Sequence, residues 1–321
     1  MASRHKFLGK RGALMLNGES RHISKHFRRY GALYLMLILP MAVLILFHYV
    51  PMYGVQIAFR NYRITRSIAD SSWVGLKHFS KFFAYYNFWP IVRNTLIVNL
   101  YSLLTFPLSL VLALLLAYVP FRRFAKLVQT VSYAPHFISM VVLCSMVIQF
   151  TNARTGMINS FLALFGIPPA NYMAQKDAYY SIYVWSGVWQ DLGYSSIIYI
   201  AALAGISPEL HEAAIVDGAG ILRRMWHIDV PGVMPTFCIL LIMRCGSLLN
   251  VGFEKALLLQ NSLNMSVSEV ISTYSYNIGL NSATPQYSYA AAIGLFTSAI
   301  NLFLLCLVNN VARRVSDSSL W

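Results

Sequence analysis

The stretch GISPELHEAAIVDGAGILRRMWHIDVPGVMPT, residues 205–236, is a mildly polar interruption in a chain that is otherwise apolar and basic. Its first half contains the residues that begin and end a helix. Ser207 suits the N-cap and Pro208 the first helical position, while Gly218 and Gly220 are typical stops. The sequence therefore predicts a short, separate helix between two long apolar segments.

The second half of the stretch predicts another short helix, over about 221–228, because Pro231 does not continue a regular helix. In the first helix, Ala213 and Ala214 leave a flat surface, to which Glu212 adds one negative charge. Such a surface suits close contact with another protein, and it equally suits a hairpin that packs on its own membrane domain. The residues alone leave both interpretations open.

Composition indicates what surrounds this stretch. Of 321 residues, 57% are hydrophobic and only 11% are charged, whereas soluble domains usually carry about 25% charged residues. Several apolar runs reach about 20 residues, enough to cross a hydrocarbon core of roughly 30 Å. The predicted fold class is therefore an all-α integral membrane protein, because backbone groups in lipid must form their hydrogen bonds within helices.

Hydropathy predicts six transmembrane helices. The quoted stretch falls between the fourth and the fifth of them, on the same side of the membrane as both termini. Prolines at 40, 51, 107 and 135 are expected to kink some of the helices. The six spans are 31–58, 91–118, 127–150, 182–204, 234–253 and 289–311.

The net charge of +14 indicates orientation in a membrane rather than nucleic-acid binding. Eight of the 25 Lys and Arg residues lie in residues 1–30. With both termini in the cytoplasm, fifteen basic residues fall in inside segments and eight in outside segments, which satisfies the positive-inside rule. We therefore expect a membrane protein with no nucleic-acid partner.

Sequence motifs for cofactors and catalysis are missing. The four cysteines have no metal-ligand spacing. The only Gly-Lys pair, Gly9-Lys10, lacks the other residues of a phosphate-binding loop. No serine-hydrolase or zinc-protease motif appears either, so an intramembrane enzyme is disfavoured. We expect no metal, no bound cofactor and no catalytic residue in this chain.

Two charged residues inside predicted spans, Asp191 and Arg244, indicate function because charges are costly in lipid. Their similar depth allows an ion pair between helices, and contact with a polar substrate is the alternative. Aromatic faces stack on sugar rings, while amides and carboxylates bind hydroxyl groups. Residues of these types suit a saccharide path, and the candidates are Trp189, Gln190, Asp191, Tyr194, Arg244 and Asn250.

The quoted stretch resembles a known motif. EAA at 212–214, Gly218 and IDVP at 228–231 are similar to the EAA loop in permease subunits of ATP-binding-cassette (ABC) importers, where Leu replaces Val230. Similarity extends over roughly residues 30–321, in segments such as YVPMYGVQIAFRNY, NVGFEKALLLQN and SEVISTYSYNIGL. These look like the carbohydrate branch of poly- and oligosaccharide permeases, including lipoprotein-polysaccharide-type and alginate importer permeases.

This resemblance implies a type I ABC importer-like permease fold with a cytoplasmic coupling helix, in the bacterial cytoplasmic (inner) membrane. The implied regions are a basic cytoplasmic tail (1–30), a transmembrane permease domain (31–311) with a coupling loop (205–233), and a cytoplasmic tail (312–321). The coupling helix would sit in a groove of a separate ATPase. The implied coupling residues are Glu212, Ala213, Ala214, Asp217, Gly218, Ile228 and Pro231.

The resemblance also implies function and partners. The expected function is import of an oligosaccharide, with alginate as an acidic example, delivered by an extracytoplasmic binding protein. The expected partners are a second, different permease subunit and two ATPase subunits that use ATP and Mg. Glu254 and Lys255, at the outer end of the fifth span, are candidates for contact with the binding protein.

Two further points stay open on the sequence alone. A stand-alone ion- or proton-coupled secondary transporter is the alternative function, and it would use Asp191 or Arg244 for coupling. The basic residues that follow the first span suit steering of an acidic saccharide, docking of the binding protein, or plain solvation of a loop. These residues are Arg60, Arg63, Arg66, Lys77 and Lys81.

Overall fold

The computed structural model describes residues 30–315, so the predicted tail before residue 30 and the residues after 315 lie outside it. Within this range the regular secondary structure is helical, apart from one isolated bridge between Arg60 and Trp73. The helices are α1 (Tyr30–Phe59), α2 (Lys77–Phe83), α3 (Phe88–Thr105), α4 (Leu108–Ala117), α5 (Arg122–Tyr133), α6 (Met140–Phe150), α7 (Met157–Ala163), α8 (Lys176–Ala204), α9 (Pro208–Val216), α10 (Ile221–Cys245), α11 (Phe253–Leu259), α12 (Met265–Ser268), α13 (Ile271–Gly279) and α14 (Tyr287–Val315).

Four helical segments of the described chain are long and apolar enough to cross a membrane. They are α1, the α3–α4 run (Phe88–Ala117), α10 and α14, and the bent pair α5 and α6 would make a fifth. Helix α8 contains 29 residues, which is long enough to span a bilayer. It is less apolar than the others because polar residues such as Gln190 and Asp191 lie in its middle.

The chain divides into two structural units after Ile57. The first unit contains most of α1, in which many apolar side chains are more than half exposed. Pro40 does not interrupt this helix. Ahead of Pro51, the helix widens into a π-helical turn, Ile45–Tyr49, and the wider turn accommodates the proline ring.

The predicted third span, 127–150, is broken rather than continuous, because α5 and α6 meet at a bend of 101°. A short 3-10 turn, Ala134–Phe137, follows α5 and contains Pro135. Ile138 and Ser139 then adopt extended backbone conformations, with ψ values of 129° and 149°. Ser139 caps α6 by accepting a hydrogen bond from the Val142 N–H, so the break is stabilised on both sides.

Helix α8 is the central element of the second unit. It packs against α3, α4, α5 and α10. Gly193 permits the closest of these approaches, since a Cβ atom there would lie only 2.2 Å from the Ser132 carbonyl oxygen of α5. Buried residues of α8, including Tyr183 and Val184, pack with residues of α11 in one apolar cluster.

Helix α10 differs from the sequence prediction at both ends. The predicted short helix over 221–228 does not end before Pro231 but continues to Cys245. A π-helical turn, Met225–Asp229, precedes the proline and makes room for its ring, as in α1. The span predicted at 234–253 is therefore shifted towards the N-terminus, and residues 246–252 form turns and irregular structure.

Candidate functional site

A cavity of about 570 Å³ lies along one face of α8, within the size range of ligand sites. Five of the six predicted path residues line it: Gln190, Asp191, Tyr194, Arg244 and Asn250. They come together because α8, α10 and the segment after α10 surround the same space. The sixth, Trp189, is 47% exposed and does not belong to the lining.

Of the two alternatives for Asp191 and Arg244, the ion pair between them is not formed in the described structure. Asp191 Oδ1 instead lies 2.9 Å from Nδ1 of His136. The His136 ring also stacks on Tyr194, with ring centroids 3.7 Å apart. The break between α5 and α6 places His136 against α8, so the partner of Asp191 comes from the segment beside Pro135, where the sequence predicts a kink but not this contact.

Gln190 stabilises the same break. Its Nε2 donates a hydrogen bond to the Ile138 carbonyl at 3.1 Å. Ile138 has an extended backbone conformation, so its carbonyl is not part of a regular helix. Gln190 is a buried residue. One of its amide N–H groups is therefore used by the protein, although the residue also lines the cavity.

Lys255 is a cavity residue that the sequence prediction placed at a binding-protein contact. It is only 5% exposed, whereas its neighbour Glu254 is exposed, because successive residues of a helix point in different directions. Lys255 Nζ donates to the Tyr183 carbonyl at 2.7 Å and lies 4.7 Å from the Tyr183 ring centroid. Burial lowers the pKa of Lys255 to about 8.

The charged side chains in the cavity lining are Asp191, Arg244 and Lys255. Two cations thus face one carboxylate, and one oxygen of that carboxylate already contacts His136. Among residues 30–315, no group of three or more His, Cys, Asp or Glu side chains is arranged to hold a metal ion. The cavity is suited to hydroxyl and anionic groups.

At the opposite end of α8, helix α9 begins after three intervening residues, 205–207. It starts as predicted, with Ser207 at the N-cap and Pro208 at the first position. It ends at Val216, and Gly218 follows the C-cap residue Asp217 with a φ of +76°, which favours glycine. The Ala219 N–H donates to the Ala214 carbonyl at 2.8 Å, which completes a Schellman-type end.

Helix α9 and the start of α10 present a mixed acidic and apolar surface, which we call the coupling surface. Glu212, Ala213, Asp217 and Pro231 are exposed, Ala214 and Ile228 are partly buried, and Gly218 is exposed at the turn. Large apolar side chains surround them with exposures of 51–87%: Leu210, Ile215, Val216, Ile221, Leu222 and Trp226. Exposed apolar patches of this kind mark protein contacts.

A buried acid, Asp229, lies beneath the coupling surface. Its Oδ1 is 3.2 Å from His211 Nε2 of α9, and its Oδ2 accepts a short hydrogen bond from the Tyr118 hydroxyl at the end of α4. Arg224 lies over the Tyr118 ring, 5.8 Å from its centroid. This cluster joins α4, α9 and α10, so it sets the position of α9 relative to the cavity-lining helices.

The basic residues after α1 divide into two groups. Arg60 donates to three backbone carbonyls of the loop that follows it, including that of Ser71 at 2.9 Å. Lys81 donates to Gln286 at 2.6 Å and lies over the Tyr289 ring. Arg63 and Arg66 are exposed. Arg60 and Lys81 therefore have structural contacts. The three alternatives, namely steering of an acidic saccharide, docking of the binding protein and solvation of the loop, apply to Arg63, Arg66 and Lys77.

Comparison with known proteins identifies the family. A family model described as "Binding-protein-dependent transport system inner membrane component" matches residues 109–317. The chain belongs to this family. The matched range contains both the cavity-lining helix α8 and the coupling surface.

Similar proteins narrow the class of this permease. The polygalacturonan/rhamnogalacturonan transport system permease protein YteP of Bacillus subtilis (strain 168) is 39% identical over 290 residues, which cover 90% of each chain. Protein LplB of the same organism is 38% identical over 290 residues, covering 90% of this chain and 91% of LplB.

A solved structure supports the same assignment. A chain in the crystal structure of a bacterial alginate ABC transporter, in complex with alginate pentasaccharide-bound periplasmic protein, matches with a TM-score of 0.84 and 35% identity. The match covers 92% of this chain and 99% of the other. The predicted resemblance is confirmed: the protein is a multi-pass permease of a sugar ABC importer, with a type I ABC permease fold. The family is a transport component rather than a catalytic subunit.

Sequence reasoning missed three residues of the permease: His136, Lys255 and Asp229. A signal for His136 was available, since it follows Pro135 in an apolar run and a proline there predicts a break. The sequence predicts a binding-protein contact for Lys255, which is in fact buried. It shows Asp229 only as part of the IDVP motif, because the burial of Asp229 depends on the fold of α10.

Proposed function

We propose that this chain is one of two transmembrane subunits of an ATP-driven importer, which moves an oligosaccharide from an extracytoplasmic binding protein into the cytoplasm. The observation that carries the proposal is the direct connection between two regions. Helix α8 lines a cavity with polar and charged side chains, and three residues after its end the coupling surface begins. A shift of α9 is therefore transmitted directly to the cavity wall.

The proposed assembly contains this permease, a second and different permease, two ATPase subunits and the binding protein. ATP and Mg bind to the ATPases, and this chain holds no cofactor. The coupling residues are Glu212, Ala213, Ala214, Asp217, Gly218, Ile228 and Pro231. Five of the seven are exposed, and this supports the proposal, since small residues permit close docking and an exposed glutamate pairs with a basic group.

In the proposed topology the chain crosses the bacterial inner membrane six times, with both termini in the cytoplasm. Helix α8 and the bent pair α5–α6 are the two spans that depart from a simple apolar helix. Polar residues in a span are tolerated where they face a cavity. The cavity beside α8 and the side-chain contacts at the break support this view.

Alternating access supplies the mechanism. Docking of the loaded binding protein and closure of the ATPases on ATP open the cavity outwards, and hydrolysis with reopening exposes the sugar to the cytoplasm. Within this chain, the cluster around Asp229 keeps α9 attached to α4 and α10. A movement of the ATPase at the coupling surface is then passed on as a movement of helices.

The relatives support an oligosaccharide as the substrate class. YteP is named for polygalacturonan and rhamnogalacturonan, and the structural match is an alginate transporter. We propose an oligosaccharide of acidic character for this permease. Tyr194, Asp191 and Asn250 provide the aromatic face and the polar groups that such a ligand requires.

The rival proposal is a secondary transporter that works alone. Asp191 is then the coupling group, and its contact with His136 gives that idea one supporting observation. Such a transporter leaves the exposed apolar coupling surface without a partner. Uptake that persists after deletion of the ATPase subunit favours the rival, whereas loss of uptake favours the importer.

The decisive experiment changes the coupling surface in the complete importer. We expect Glu212→Lys and Gly218→Pro each to abolish ATP-driven sugar uptake in proteoliposomes while the subunits still insert in the membrane. The first reverses a charge at the docking site, and the second imposes a negative φ where the chain has +76°. Asp177→Lys, at the exposed start of α8, is the matched charge-reversal control. Transport that survives both changes contradicts the proposal.

A further inference from the structure

We propose that Arg244 and Lys255 form a carboxylate-binding site in the cavity, and that this site makes the permease selective for uronic-acid oligosaccharides over neutral ones. The inference rests on the proposed function, and it names the residues that recognise the acidic groups of the substrate. It also gives Lys255 a role inside the cavity instead of at a binding-protein contact.

Lys255 has the burial and the free donors that such a site requires. It is 5% exposed, and a buried lysine is normally paired with an acid. No carboxylate of the described chain lies within ion-pair distance of it. Its Nζ donates once, to the Tyr183 carbonyl at 2.7 Å. An ammonium group has three N–H donors, so two remain for a ligand.

Arg244 is the second cation of the site. It is exposed and lines the same cavity. Among the described residues, no acidic side chain forms an ion pair with its guanidinium. A planar guanidinium binds a carboxylate through two parallel hydrogen bonds. Arg244 lines the same cavity as Tyr183, the residue whose carbonyl accepts a hydrogen bond from Lys255.

The acid in the cavity does not neutralise these cations. Asp191 Oδ1 contacts His136, and Asp191 stands alone against two positive side chains in the lining. The cavity also contains groups that bind sugar hydroxyls, namely Asn250 and the free oxygen of Asp191. Cations together with hydroxyl-binding groups match a saccharide that carries carboxylates, because a neutral sugar supplies no partner for a buried ammonium.

The test compares two oligosaccharides of equal length, one negatively charged and one neutral. The importer, reconstituted with its binding protein, is supplied with an oligogalacturonate or with the same oligosaccharide fully methyl-esterified, each at saturation of the binding protein. The measured quantity is ATP turnover stimulated by each ligand. We call the turnover with the acidic ligand divided by the turnover with the neutral ligand the acidic-to-neutral ratio. We expect Lys255→Met and Arg244→Gln each to lower this ratio by about tenfold, which is at the lower end of the effects of losing a close charge pair.

The variants are chosen so that folding does not obscure the result. Methionine has nearly the length of lysine, and the Tyr183 carbonyl still accepts a hydrogen bond from Ser186 Oγ at 3.1 Å. Removal of a buried charge also relieves desolvation. Arg244→Gln alters an exposed side chain and carries the test independently. Lys176→Met, at the exposed start of α8, removes the same charge outside the cavity and should leave the ratio unchanged.

The outcomes separate this inference from the proposed function. An unchanged ratio in both variants, in complexes that assemble normally, overturns the carboxylate site while the sugar importer stands. A wild-type importer whose ATP turnover responds to no saccharide overturns the proposed function, and the carboxylate site with it. A ratio that falls in both variants but not in Lys176→Met supports the site.

Discussion

Two aspartate–histidine pairs of this permease have the same chemistry in opposite surroundings. The Asp229 side chain is 6% exposed and the Asp191 side chain 55%. Asp229 uses both carboxylate oxygens, one with His211 and the other with Tyr118. Asp191 uses Oδ1 with His136, and its second oxygen has no hydrogen-bond partner among the described residues. We call the Asp229–His211 pair closed, because both carboxylate oxygens have partners within the protein. We call the Asp191–His136 pair open, because one carboxylate oxygen is available in the cavity.

The difference shows how burial decides what a carboxylate does. A buried acid with both oxygens satisfied holds its partners in one arrangement, because any displacement leaves a costly unpaired group. An acid that is fixed by one oxygen and open at the other keeps its position while it binds a ligand. The closed pair therefore suits the moving coupling region, and the open pair suits the substrate path.

Among changes at the two aspartate–histidine pairs, the largest effect is expected from Asp229→Asn. An amide has one accepting oxygen, so Tyr118 or His211 loses its acceptor. Loss of a hydrogen bond to a charged group costs about 1.5 kcal/mol, which is about tenfold in an equilibrium. We expect the saccharide transported per ATP hydrolysed to fall about tenfold, while basal ATP turnover persists. Parallel measurement of uptake and phosphate release in proteoliposomes checks this.

The control for Asp229 is Asp177→Asn, the same chemical change at an exposed position at the start of α8. It should alter neither uptake nor ATP turnover. A purely structural role for Asp229 makes a different prediction, namely less assembled complex with an unchanged number of saccharides per ATP. That result would remove Asp229 from the coupling pathway and leave it a packing residue.

The coupling region was largely predictable because its signals are local. Helix ends depend on neighbouring residues, and Ser207, Pro208 and Gly218 lie at the predicted positions, although the Ser207 side chain makes no capping hydrogen bond. The length of α10 was not predictable in this way. A proline in the interior of a helix normally breaks it, and here a π-helical turn, Met225–Asp229, carries α10 through Pro231. Asp229 in that turn contacts Tyr118, which is 111 residues away along the chain.

The cavity was predictable in composition but not in contacts. Five of six path residues line it, because polar residues in a span are tolerated where they face a cavity. The partner of Asp191 could not be derived, since Pro135 predicts a break but not the 101° bend that brings His136 to α8. The burial of the Lys255 side chain could not be predicted from the sequence either, because it depends on how α11 packs against α8.

A smaller effect is expected from Asp191→Asn. The open oxygen remains an acceptor for a sugar hydroxyl, but a neutral one, and the loss is about 1 kcal/mol or roughly fivefold. We expect stimulation by the methyl-esterified oligosaccharide to fall about fivefold. The acidic oligosaccharide should lose less, because removal of the negative charge also removes repulsion. The same ATP-turnover assay measures both.

The direction of this change distinguishes the open acid from the cations beside it. Asp191→Asn should raise the acidic-to-neutral ratio, whereas Lys255→Met should lower it. If both variants shift the ratio in the same direction, Asp191 acts on the whole cavity through its contact with His136 and not on the ligand. His136→Phe, which retains the stacked ring but not the polar contact, then separates the two roles.

The smallest effect is expected from pH. Lys255 has a folded-state pKa of about 8, below the unfolded value of 10.5. Its ammonium is therefore present at pH 7 and mostly lost at pH 9. Burial of the charged form destabilises the fold, so this destabilisation decreases as pH rises through the folded-state pKa. We expect the acidic-to-neutral ratio of the wild-type importer to fall severalfold between pH 7 and 9.

Other groups facing Lys255 must be separated from it in that experiment. Asp191 and Cys144 interact with it electrostatically, and Tyr183 and Arg244 share the cavity wall. The variant Lys255→Met retains all four. If its ratio is low and no longer varies with pH, the titrating group is Lys255. If the variation persists, a neighbouring group titrates and the ammonium does not set the preference for acidic sugars. The neutral ligand corrects for the pH dependence of the ATPase, because its turnover is measured with the same ATPase subunits and involves no carboxylate on the ligand.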